Sequence, residues 1–111
     1  MISKELLKVI LVDKQVDKVD ICGNNVWFKK AECTMVHHWE DECINIYELA
    51  HKCKEWAINE EFILETSYNK KGMAYCDVYS NYALISRFSN NTEPKVIFEA
   101  CEFIRKVLQK K

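Results

Sequence analysis

Four residues able to hold a metal, Cys33, His37, His38 and Cys43, fall within an eleven-residue stretch. Thiolates and imidazoles are the ligands of tetrahedral zinc, and structural sites pair them at short, regular spacings. Cys33 and His37 are acceptably spaced, but His38 and Cys43 lie five apart and no CxxC occurs. The stretch therefore reads as a polar loop with one buried cysteine, and no metal is expected. His51, with Cys53 beside it and Cys101 able to approach in space, has the composition of a cysteine–histidine nucleophile. A reactive thiolate needs an electropositive, partly exposed setting. Cys53 and Cys101 fall instead inside apolar helical stripes, and His51 with Glu55 makes an ordinary i,i+4 surface pair. Glu40, Asp41, Glu42, Glu60 and Glu61 could supply paired carboxylates, yet all lie at element ends among other charges. There is no GxSxG, HExxH, phosphate-binding loop or GxGxxG. The expectation is a non-enzymatic protein with no catalytic residue and no cofactor.

The tyrosines are the better candidates. Tyr75 and Tyr79 alternate with Ala74, Cys76 and Val78 along one predicted strand. The small apolar set suits a helix-covered face, which turns Tyr75 and Tyr79 to the other side, where Tyr68 and Tyr82 join them if the register allows. Three uses are open to such a face. The first 44 residues could fold over it; it could meet a protein partner or a second copy, since tyrosine offers large contact area at low entropic cost; or it could stack single-stranded bases, for which the accompanying basic groove is missing.

The elements that must position these residues follow from period and punctuation. Residues 3–12 read as a short helix capped by Ser3, with Leu6, Leu7, Ile10 and Leu11 on one side. Residues 18–22 and 26–29 read as a hairpin around Gly23, Asn24 and Asn25. Residues 30–44 leave two readings open, a strand around Cys33 to Trp39 or a loop ending in Glu40, Asp41 and Glu42. Asn45 caps a helix over 46–58, with Glu48 in capping-box position and a stripe of Ile46, Leu49, Ala50, Cys53, Trp56 and Ala57. Residues 62–69, 73–80 and 82–88 read as three strands of an antiparallel meander, turning at Lys70-Lys71-Gly72 and at Ser80-Asn81. Thr92, Glu93 and Pro94 open a final helix. It carries one stripe of Ile97, Ala100, Cys101, Ile104 and Leu108 and a second of Val96, Phe103 and Val107, so it is expected to be contacted on two sides. The expected fold class is α+β: an α-β-β-β-α core over 45–111, both helices on one face of the meander, preceded by a short helix and hairpin in a 1–44 subregion of one domain.

Composition bounds the function classes. The chain has 111 residues, 49% hydrophobic and 30% charged, with a net charge of −1. That is enough to bury a core without disulfide or metal staples. Two glycines and one proline exclude collagen, a flexible linker and a long glycine-rich phosphate cradle. Fourteen lysines, two arginines and seventeen acids are interspersed without a basic block, unlike the footprint of a nucleic-acid binder. The longest aliphatic run, Val9 to Val12, is far too short to span a bilayer, and no signal peptide is seen. Six scattered cysteines without an export signal read as reduced thiols, so a cytoplasmic location is expected.

Two resemblances add to this reading. The α-β-β-β-α order of 45–111 is similar to the double-stranded-RNA-binding domain. That resemblance implies RNA contacts from the first helix, the first strand–strand loop and the start of the last helix, which here means Lys70, Lys71 and Lys95. The chain has neither the Gly-Pro-x-His loop nor the lysine cluster of that family. The stretches INIYELAHKCKEWA (44–57) and NTEPKVIFEACEFI (91–104), with the opening MISKELL, resemble a family of small bacteriophage- and prophage-borne proteins. This implies a phage accessory factor and supplies no site residues. The expected partner is a protein or a second copy, with nucleic acid as the alternative and no membrane.

Overall fold

The computed structural model describes residues 2–29 and 42–110. These residues form an α+β fold with two antiparallel three-stranded sheets and three helices. Helix α1 (Lys4–Ile10) is capped by Ser3, whose hydroxyl accepts from the Leu6 amide at 3.1 Å. It buries Leu6 and Leu7 completely. The first sheet runs β1 (Asp20–Cys22), β2 (Asn25–Lys29) and β3 (Glu42–Asn45), with β2 in the middle. Gly23, at φ 60°, opens the two-residue turn between β1 and β2, a conformation that favours glycine. The alternation of β2 turns Val26 and Phe28 inward, and Ile44 of β3 joins them in the core. A strand around Cys33 to Trp39 lies outside the described residues; Glu42, at the end of the acidic triplet, begins a strand and not a loop end.

Helix α2 (Ile46–Asn59) starts where expected, with Asn45 Oδ1 accepting from the Tyr47 amide at 2.9 Å. Its stripe buries Ile46, Leu49, Ala50, Cys53 and Ala57, while Trp56 stays half-buried at the rim. Strands β4 (Ile63–Tyr68), β5 (Ala74–Ser80) and β6 (Ala83–Asn90) form the second sheet as a meander with β5 central. Helix α3 (Glu93–Gln109) is capped by Thr92, with Pro94 in its first turn. It packs across all three strands of this sheet and along α2. Val96, Ile97, Phe98, Ala100, Cys101 and Ile104 are buried, and Phe103, Val107 and Leu108 are half-buried against the same core. The two-sided contact expected of α3 is therefore present, with the sheet on one side and α2 on the other; Phe103 meets Phe88 of β6 with ring centroids 5.5 Å apart.

Helix α1 lies against α2 and α3 rather than on the meander. The Ser3 amide and hydroxyl both donate to Glu102 Oε1 of α3, at 3.0 and 2.6 Å, which ties the start of the chain to its last helix. Helix α1 thus packs on the helix side, while Ile63 and Leu84 on the opposite face of the meander stay exposed.

Candidate interaction face

The pairing of β4, β5 and β6 arranges their outward residues in rows. Ile63, Tyr79 and Leu84 form one row across the three strands. Glu65, Asp77 and Arg87 form the next, and Ser67, Tyr75 and Ser89 the third. Tyr75 and Tyr79 therefore share the outer face, as their alternation with Ala74, Cys76 and Val78 predicts. Ile63 is 56% exposed and Leu84 52%, so the first row is an apolar strip open to water. Ile85 is the extra residue of a β-bulge opposite Val78 and Tyr79, and it is exposed too.

The other two tyrosines take different places. Tyr68 pairs with the inward-facing Ala74, so it belongs to the helix side of the sheet. Its hydroxyl donates to Glu93 Oε2 at 3.4 Å. Loss of water and then the Glu93 carboxylate push its ionisation above the usual tyrosine value. Tyr82 is not on the strand at all. The turn is Asn81-Tyr82 rather than Ser80-Asn81, both residues have positive φ (54° and 65°), and Tyr82 projects fully exposed from the tip. Positive φ at both central positions matches the twist of a two-residue hairpin of type I′.

An ion pair occupies the centre of the face. Asp77 is buried although it points outward, because Arg87 lies over it. Arg87 Nε donates to Asp77 Oδ1 at 2.5 Å and its NH2 group to Oδ2 at 2.9 Å, the bidentate geometry of guanidinium and carboxylate. Those hydrogen bonds hold the Asp77 carboxyl below the ordinary carboxylate value, against a smaller upward push from burial. The Arg87 guanidinium also stands 5.9 Å from the Tyr75 ring centroid, in cation–π range. The Tyr75 hydroxyl accepts from Asn69 Nδ2 at 3.2 Å, which links it to the β4–β5 turn. Sequence reasoning missed Asp77, Arg87, Ile63 and Leu84. The alternation of 63, 65 and 67 could have signalled Ile63. Leu84 was hidden by the bulge, which shifts β6 by one residue and turns Leu84 outward.

The lysines proposed for RNA lie elsewhere. Lys70 and Lys71 sit exposed in the β4–β5 turn, which Asn69 closes by accepting from the Lys71 and Met73 amides, with Gly72 at φ 84°. Lys95 is exposed in the first turn of α3. The Tyr68–Glu93 contact brings the end of β4 to the start of α3. That end carries mixed charge, because Glu93 lies among these lysines and also takes Lys54 at 3.7 Å.

Of the metal candidates, Cys33, His37 and His38 lie outside the described residues, as do Glu40 and Asp41. Cys43 is exposed on β3, and among the described residues no three of His, Cys, Asp and Glu cluster to hold a metal ion. His51 pairs with Glu55 at 2.8 Å on the exposed side of α2. Glu42 faces Lys29 at 3.9 Å, and Glu60 and Glu61 end α2 in solvent. Cys53, Cys76 and Cys101 are fully buried between α2, β5 and α3. Cys101 donates to the Cys53 carbonyl at 3.5 Å. Contact with Cys53, then burial, pushes the Cys101 thiol upward, and burial pushes Cys76 up to about 12. Such thiols stay protonated and are poor nucleophiles.

Comparison of the chain with protein-family models, with curated proteins and with solved structures finds no significant match in any of the three. Among the described residues, no helix is long and apolar enough to cross a membrane.

Proposed function

We propose that this protein is a non-enzymatic binding factor that acts by protein–protein contact through the outer face of the β4–β5–β6 meander. The observation that carries the reading is the open apolar row Ile63–Tyr79–Leu84, next to a preformed Asp77–Arg87 pair, on the side of the sheet away from both helices. Exposed apolar strips rimmed by polar groups are characteristic of interaction surfaces. Aromatic and arginine side chains are the residue types that dominate binding energy there. Tyr75 and Arg87 are already oriented by their neighbours, which lowers the entropy lost on binding.

The resemblance of 44–57 and 91–104 to phage-borne proteins supports a phage accessory factor directed at a host protein in the cytoplasm. Those stretches cover the end of β3 with most of α2, and the first twelve residues of α3. They bear on origin and fold, while the face lies on strands outside them. Reduced thiols fit that compartment: the five cysteines among the described residues are unpaired.

The test is capture from the natural host by tagged wild-type protein and by a Leu84→Asp variant. Leu84 is exposed, so the variant is expected to melt like wild type and to lose the captured protein. Captured protein should survive raised salt, because an aromatic interface is weakly screened. A retained species that is RNA or DNA and is released steeply by salt would point instead to Lys70, Lys71 and Lys95 and overturn the reading.

A further inference from the structure

We propose that the outer face of the meander also pairs with the same face of a second copy, about a two-fold axis running along β5. The proposal rests on the reading of this face as a protein-binding surface and names one occupant of it. A half-turn about an axis parallel to β5, lying between two stacked sheets, exchanges the edge strands and keeps each row opposite itself. Glu65, on β4, then faces Arg87 of the second copy, on β6, and the reverse holds on the other side of the axis. Ile63 faces Leu84 of the second copy in the same way, and Tyr79 meets its own counterpart on the axis. A two-fold axis across the strands would set Glu65 against Glu65 and Arg87 against Arg87. The charge row therefore selects the axis along β5, because opposed like charges disfavour the other arrangement.

The details of the row suit this packing. Two facing carboxylates of Asp77 would obstruct the axis if they were free, but each is already held by two bonds from its own Arg87. A guanidinium has five N–H donors, so three remain for Glu65 of the second copy. Stacked sheets lie about 10 Å apart, a gap that glutamate and arginine side chains together can bridge. Tyr82 projects from the tip at the end of the face where the apolar row lies, positioned to cover the edge of that row in the paired molecule. Three strands by about six residues make a patch of roughly 14 by 20 Å. That is smaller than the ~800 Å² per partner of a standard interface, so the dimer is expected to dissociate on dilution.

Sedimentation velocity of the full chain across the micromolar range should show a monomer–dimer shift. Glu65→Arg and Arg87→Glu are each expected to sediment as monomers, and an equal mixture of the two should recover the dimer, since both crossed pairs are then opposite in charge. Arg87→Glu also breaks the pair with Asp77, so Ile63→Lys and Leu84→Asp provide an independent couple at exposed positions, again monomeric alone and dimeric when mixed. A wild type that stays monomeric overturns the dimer, as does a dimer that survives all four substitutions. If the wild type is monomeric and Leu84→Asp still loses the host protein, the binding face stands without self-pairing. If Leu84→Asp changes neither assembly nor capture, the face itself is excluded.

Discussion

Tyr82 holds a φ of 65° with its ring in water, an arrangement in which a side chain beyond Cβ contributes no packing to its own fold. The left-handed region costs an L-residue roughly 1–2 kcal/mol that glycine avoids. Glycine in turn gives the unfolded chain about 0.5–1 kcal/mol of extra entropy. Tyr82→Gly is therefore expected to stabilise the protein by about 0.5–1 kcal/mol in urea denaturation, while weakening any contact made by the hairpin tip. Asp77 makes a second residue-level test. Its folded ionisation lies below the unfolded value because Arg87 hydrogen-bonds the charged form, with burial opposing. Stability from that pair is complete above the unfolded value of about 4 and is lost as the pH falls through the lowered folded one. Asp77→Asn should lower the urea midpoint at neutral pH and flatten its decline on acidification. A decline as steep as that of wild type would remove Asp77 from the acid response.

At the scale of elements, Phe103 and Ser3 report how α3 is held. Phe103 is half-buried against Phe88 and the core, so Phe103→Ala should cost about 3 kcal/mol, near the lower end for an aromatic truncation. The loss is read from urea midpoints, with sedimentation unchanged because the side chain faces β6 rather than a partner. Ser3→Ala removes the cap of α1 together with the hydroxyl bond to Glu102, and about 1–2 kcal/mol is expected. Amide exchange should accelerate in residues 4–10 and leave the meander unaffected. The caps at Ser3, Asn45 and Thr92, the helical stripes and the alternation of β5 were legible because each is a local pattern tied to one backbone geometry. Three features of the face were not. The bulge at Ile85 and the tyrosine in the hairpin turn both run against local preference, which favours unbroken alternation and glycine or asparagine. The Asp77–Arg87 pair joins residues ten apart on neighbouring strands, and only the register reveals it.

At the scale of the whole molecule, three sulfhydryl groups, one each from α2, β5 and α3, meet in the interior with no exposed surface. The protein therefore carries its own gauge of opening. An alkylating reagent added to the native state should modify Cys22 and Cys43 at once, since both are exposed. Cys53, Cys76 and Cys101 can react only when the helices part from the sheet. If the core opens as one cooperative unit, the three slow rates coincide and rise together in dilute denaturant. If α3 peels away first, Cys101 leads. Denatured, unreduced protein should titrate with six free thiols, and a smaller number would overturn the reduced reading of the cysteines. Mass spectrometry of each alkylated site thus converts a sealed, chemically quiet pocket of sulfur into a measurement of how often, and in what order, the core exposes itself to water.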